Sequence, residues 1–178
     1  AAITHVTDSI ALVVSSSGQV TYFRKGRMFT LFEKSEEEPC DPGMVDSSST
    51  HNPKIGFFGG SFDPIHNGHL SLAKQAIVQA GLDTLLLCPA YHAPLRSAKP
   101  FFKAENRLGM LEKVAGEHPK LKVFPHEISQ QKVCFTYHTL LEVGKKYSQC
   151  EIILLLGTDQ FHKLPQWKFI DELTKVVT

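Results

Sequence analysis

Ile55-Gly56-Phe57-Phe58-Gly59-Gly60-Ser61-Phe62-Asp63-Pro64-Ile65-His66-Asn67-Gly68-His69 begins as an apolar run, passes two glycines and an Asp-Pro turn, and ends on paired histidines. The apolar start predicts a short buried strand. From about Asn67 to Ala80 the apolar residues take helical spacing, with Leu70, Ala73, Ile77 and Ala80 on one face. A strand, a glycine turn and a helix in that order bring an anion to the free amides of a helix start. Gly59 and Gly60, followed by Ser61 and Phe62, permit close backbone approach. His66 and His69 are three apart, so both rings can face one phosphate and, as cations, donate to its oxygens as charge builds. Either histidine alone would be an ordinary cap or surface residue, and without a third ligand the pair is a weak metal site. The whole string at such a junction points to phosphate chemistry, with no metal ligated by the protein.

Outward from this segment, strands and helices alternate. Leu85-Leu86-Leu87-Cys88 reads as a buried strand, residues 104–117 as a helix, and Leu121 to Phe124 as a strand. Thr136 is placed to cap a helix running to about Tyr147. Glu151 to Leu156 is too apolar to alternate, as suits a parallel strand covered on both faces. Lys175-Val176-Val177 reads as a last strand. The fold class expected is α/β, a doubly wound parallel sheet with ligands at the carboxyl ends of its strands.

Upstream the composition changes. Residues 36–53 are acidic, then Ser- and Pro-rich, and read as a linker. Residues 1–35 hold two strand-like runs, Ile10–Val14 and Gln19–Phe23, joined by Ser15-Ser16-Ser17-Gly18, which predicts a β-hairpin extension. The domain proper is then 54–178. The chain starts at Ala1 without an initiator Met, as a fragment or processed chain would, and its first residues do not read as a signal peptide.

Lys plus Arg number 19 against 18 Asp plus Glu, a balance that speaks against a protein wrapped along nucleic acid but leaves room for a local basic pocket. No apolar run reaches the length of a membrane span. Cys40, Cys88, Cys134 and Cys150 lack metal or redox spacing, and Cys88 and Cys134 in apolar settings are expected as buried thiols. A reducing cytoplasm is the simplest setting.

Three further blocks carry candidate site residues. Pro89 to Arg96 is a Pro-rich loop after a strand end, able to cover a ligand and offer Arg96, or simply to hold a solvated arginine. Gly157-Thr158-Asp159 follows a buried strand, where a carboxylate can reach ribose hydroxyls. Trp167, the chain's single tryptophan, suits an offset stack on a heteroaromatic ring; as core, it would share a helical face with Ile170 and Leu173.

With those blocks in hand, Gly60-Ser61-Phe62-Asp63-Pro64-Ile65-His66-Asn67-Gly68-His69 resembles the G-x-F-D-P-x-H-x-G-H motif of the nucleotidyltransferase superfamily. Within it, residues 54–178 look most like bacterial nicotinate-nucleotide adenylyltransferases. Leu95 stands where the family usually has His before the basic residue, and Phe135-Thr136-Tyr137-His138-Thr139 is similar to its S-Y-T-x-D-T segment. The resemblance implies a Rossmann-like nucleotidyltransferase fold and adenylyl transfer from ATP, accompanied by Mg²⁺, to nicotinate mononucleotide. It assigns His66 and His69 to catalysis. Gly59, Gly60, Ser61, Phe62, Gly157 and Asp159 would hold ATP, and Arg96, Thr136 and Trp167 the acceptor. In the family an R-P-G segment and an S-x-T-x-I-R motif come later, beyond Thr178, so the resemblance implies a domain incomplete at its carboxyl end. Nicotinamide mononucleotide or phosphopantetheine as acceptor, or a nucleotide-binding remnant without turnover, are the alternatives. Dimer and hexamer stay open. Residues 1–35 faintly resemble the tail of diadenylate cyclase domains, and an unrelated hairpin reads equally well.

Overall fold

The computed structural model describes residues 11–14, 20–24, 27–31 and 52–176. Its strands are β1 (Ala11–Val14), β2 (Val20–Arg24), β3 (Arg27–Leu31), β4 (Lys54–Gly60), β5 (Thr84–Pro89), β6 (Leu121–Val123) and β7 (Glu151–Gly157). They form one sheet in the order β3-β2-β1-β7-β4-β5-β6. From β7 to β6 every pairing is parallel, with Phe57 opposite Leu86 on one side and Leu154 on the other.

The unbroken apolar runs are explained by two covered faces. Successive strand residues point to opposite sides. Phe58, Leu85, Leu87, Ile153 and Leu155 pack with Ala73 and Ala76 of α1 (Asn67–Gln79) and Leu111 of α2 (Ala104–Gly116). Phe57, Leu86, Cys88, Leu154 and Leu156 pack on the other face, beneath Leu140 and Val143 of a helix at Thr136–Lys146 and Leu173 of one at Ile170–Val176. The sheet is doubly wound. The chain leaves β4 through α1 toward β5 on one side and reaches its other neighbour, β7, only after helices on the opposite face. That reversal opens a crevice at the carboxyl ends of β4 and β7.

The amino-terminal hairpin is present, with β1 antiparallel to β2 and Leu12 opposite Tyr22. β1 also runs parallel along β7, and β3, not foreseen, extends the ribbon. The hairpin thus continues the sheet. Residues 1–10, the Ser15–Gly18 turn, Cys40 and nearly all of the 36–53 linker lie outside the described residues.

Several short elements add to the expected pattern: α3 (His126–Gln130) before α4 (Thr136–Lys146), and α5 (Thr158–Lys163) with a 3₁₀ turn at Leu164–Gln166 before α6 (Ile170–Val176). Two expectations are corrected. Lys175 and Val176 end α6 instead of forming a strand, because a helix with Asp171 and Glu172 in its first turn buries Leu173; Val177 lies outside the described residues. Thr136 is the first helical residue of α4, and Phe135, with extended backbone at φ −101° and ψ 137°, is the N-cap. Cys88 is buried as expected, while Cys134 is half-buried. Among the described residues no helix is long and apolar enough to cross a membrane.

Candidate active site

The crevice holds a cleft of about 1110 Å³ lined from three directions. The loop after β4 and the start of α1 bring Gly59, Gly60, Ser61, His66, Gly68 and His69. The loop after β5 brings Arg96. The end of β7, α5 and the close of the 3₁₀ turn bring Gly157, Asp159 and Trp167, with Thr136 from α4. The sheet therefore gathers residues from four separated blocks of sequence. Phe62 alone among the candidates is elsewhere. Its ring is buried in the core at 1% exposure, and it reaches that position through a left-handed backbone, φ 45°.

His66 is the N-cap of α1 and His69 lies in its first turn, and the two rings stack with centroids 3.8 Å apart. Gly68 makes this possible, since a Cβ there would come within 3.0 Å of the His66 ring. His69 is half-buried, edge-on to Phe62 at 5.0 Å. Its Nδ1 accepts a 3.4 Å hydrogen bond from the His66 backbone N–H, so in the neutral ring Nε2 carries the proton. Burial, and secondarily the His66 ring, hold its pKa down to about 4. At pH 7 the His69 ring is neutral and meets the cleft as an N–H donor.

At the β7 end, Gly157 precedes α5, and the Asp159 carboxylate folds back so closely that a Cβ on Gly157 would lie 2.8 Å from its Oδ1. Asp159 is exposed and accepts a 2.7 Å hydrogen bond from Gln160. Trp167 is half-buried: it packs against the core cluster that includes Leu164 and Leu173, and it also lines the cleft. Both readings of that residue apply. Arg96 is exposed on a turn closed by its N–H bonding the Ala93 carbonyl at 3.0 Å. Lys163 and Lys168 add two cations to the lining.

Two buried residues were not singled out from the sequence. Arg107, in α2, is 1% exposed, and its guanidinium donates to the carbonyls of Ser61, Ala90, Tyr91 and Phe102. It lies four residues before Leu111 on the buried face of its helix, so a charge on an apolar stripe was the available signal. Glu127 in α3 is 7% exposed and also lines the cleft; the sequence around it has no periodicity that would have marked it. Among the described residues no group of three or more His, Cys, Asp or Glu is arranged to hold a metal. A magnesium ion here would be carried by nucleotide phosphates and water.

The cytidylyltransferase-like family model matches residues 57–178. A curated Streptococcus pyogenes serotype M1 protein, named probable nicotinate-nucleotide adenylyltransferase, is 34% identical over 150 residues, covering 84% of this chain and 69% of its own length. The nicotinate-nucleotide adenylyltransferase of Bacillus subtilis strain 168 is 32% identical over 124 residues, covering 70% of this chain and 66% of its own length. Among solved structures, Plasmodium falciparum nicotinic acid mononucleotide adenylyltransferase complexed with NaAD superposes with a TM-score of 0.56 at 19% identity, over 68% of this chain and 60% of that one. At that identity the likeness is one of fold.

Proposed function

The chain belongs to the cytidylyltransferase-like family and, within it, to the nicotinate-nucleotide adenylyltransferases; from that premise we propose that it transfers the adenylyl group of ATP to nicotinate mononucleotide, giving deamido-NAD and pyrophosphate. The observation that carries the reading is the joining of two unlike half-sites in one cleft. A stacked histidine pair stands at a helix start, and a flat indole stands with Thr136 at the other half.

In this reaction an oxygen of the acceptor's 5′-phosphate attacks the α-phosphorus of ATP in line, and the bond to pyrophosphate breaks. The nucleophile is already an anion, so no base is required, and the protein's part is to align the reactants and stabilise charge. His69 Nε2–H and the His66 ring would donate to phosphate oxygens as the pentacoordinate transition state forms. The backbone at Gly59, Gly60 and Ser61 lets the nucleotide lie close. Phe62 contributes from below, its buried ring seating His69. Asp159 would accept from the sugar hydroxyls of ATP. Arg96, Thr136 and Trp167 would hold the acceptor, the indole by stacking on the pyridine ring. Mg²⁺, when present with ATP, neutralises charge on the departing phosphates.

Pyrophosphate release by the purified chain with ATP and Mg²⁺ tests this, with nicotinate and nicotinamide mononucleotides in parallel and His66→Ala as control. Release that depends on a mononucleotide and is lost in the variant is expected. Folded protein that binds ATP but releases nothing with either acceptor would refute the reading.

A further inference from the structure

Glu127 is a buried carboxyl in the cleft that adenylyl transfer leaves unused. Its Oε1 accepts a hydrogen bond from Thr139 Oγ1 at 2.8 Å. Thr139 is fully buried and stands one turn after Thr136 on the same face of α4. The carboxyl is thereby tied to the helix that opens with Thr136, and Cys134, Phe135, Thr136 and Trp167 line the same cleft as Glu127.

The cations that line the same cleft, Arg96, Lys163 and Lys168, are exposed side chains. β5 contributes the Cys88 thiol and the segment before α4 contributes Cys134, both raised by burial and by Glu127 itself. Lys132 is exposed on that same segment. α4 contributes Thr139. α2 also packs on α3, and its buried charge, Arg107, is taken up by the loop carbonyls of Ser61, Ala90, Tyr91 and Phe102. Burial pushes the Glu127 carboxyl up to about 7, and the Thr139 hydrogen bond pulls it back only in part.

We propose that Glu127 is a specificity-determining residue of the acceptor half-site, selecting on the charge of the pyridine substituent: protonated it admits a carboxylate, and ionised it favours a carboxamide. This rests on the acceptor reading above. An ionised Glu127 and a substrate carboxylate would share one cleft, where repulsion over about 12 Å at an effective dielectric near 20 amounts to roughly a tenfold change in binding. A carboxamide feels no such repulsion.

The test is the ratio of affinities for nicotinate and nicotinamide mononucleotides, measured by titration calorimetry from pH 6 to 8.5, with the ratio of kcat/KM in the same buffers. Both ligands carry the same 5′-phosphate, so its ionisation and that of the histidines cancel in the ratio. In the wild type the acid-over-amide ratio is expected to fall roughly tenfold as pH rises through neutrality. Glu127→Gln, whose amide oxygen can still accept from Thr139, should make the ratio flat. Thr139→Val, which removes a hydrogen bond favouring the ionised form, should move the midpoint to higher pH. A wild-type ratio independent of pH, or a slope that survives Glu127→Gln, overturns the proposal. Binding of neither mononucleotide overturns the acceptor reading and this proposal with it, and so separates the two failures.

Discussion

The Nη1 of Arg107 lies 2.6 Å from the carbonyl oxygen of Ser61, so a residue of α2 holds the loop that follows β4. The same nitrogen reaches Ala90 at 2.7 Å, and Nη2 and Nε reach Tyr91 and Phe102. From the opposite direction the Asp63 carboxylate accepts from the backbone N–H groups of Phe101 and Phe102, at 2.6 and 2.8 Å. Those two hydrogen bonds, with Arg107 and Arg96 nearby, hold Asp63 below its ordinary pKa against the opposing effect of desolvation. The loop after β4 and the Arg96 loop are thus cross-linked into one unit. Arg107→Ala strips the partner from several loop carbonyls and is expected to cost on the order of 3 kcal/mol in urea unfolding. Arg107→Lys keeps the charge but not the planar fork, and should recover only part of that loss. An alanine variant as stable as the wild type would refute this role.

His69 couples stability to pH. Its folded-state pKa, about 4, lies below the ordinary 6.5, so the fold prefers the neutral ring. The contribution is complete above about pH 6.5 and is lost as pH falls from there toward 4, where the unfolded chain binds the proton and the folded one does not. Melting temperature should fall across that window, and His69→Gln should flatten the part of the fall due to this residue. A polyphosphate beside the ring reverses the preference, so ATP binding near pH 5.5 should take up protons, read by calorimetry in buffers of different ionisation enthalpy. Binding without uptake would place the phosphates away from His69.

Gly157→Ala separates site geometry from stability. The added Cβ would collide with the Asp159 carboxylate, the end of a mobile side chain, and with little else. Unfolding free energy is expected to change by less than about 1 kcal/mol, while ATP affinity drops several-fold as Asp159 is turned aside. Unchanged affinity would remove Asp159 from the nucleotide site.

Trp167 serves two surfaces, and two substitutions can tell them apart. Trp167→Phe keeps an aromatic face and should raise the KM for the mononucleotide by only a few-fold, since stacking contributes about 1 kcal/mol beyond burial. Trp167→Ala should raise it at least tenfold and also destabilise the fold by roughly 2–3 kcal/mol, because the ring packs against the core. A KM untouched by either change would leave the indole as core alone.

What the sequence disclosed depended on repetition. β4, β5 and β7 are runs of apolar residues buried on both faces, and α1 repeats its apolar positions over thirteen residues, so each left a signal longer than its own noise. α3 and α5, with five and six residues, are too short for a period to register. Lys175-Val176 has the local composition of a strand, but tertiary burial of Leu173 decides for helix. Phe135, an unremarkable cap by residue type, took the place that Thr136 was better suited to fill. Arg107 could have been noticed as a charge on a buried stripe, yet its partners are backbone carbonyls of distant loops, which no side-chain pattern encodes. Glu127 owes its significance entirely to the depth at which the fold places it.

The sheet order also dictates a schedule. β7 is the last described strand to be synthesised, yet it lies between β1 and β4. Until Glu151–Gly157 arrives, β4 presents an open row of amides and carbonyls on that side, and neither Asp159 nor Trp167 exists to face the histidines. Assembly of the cleft is therefore a late event in synthesis at the ribosome. Stopped-flow measurements should find refolding slowed by Leu155→Ala in β7, whereas Leu121→Ala at the far edge should chiefly hasten unfolding.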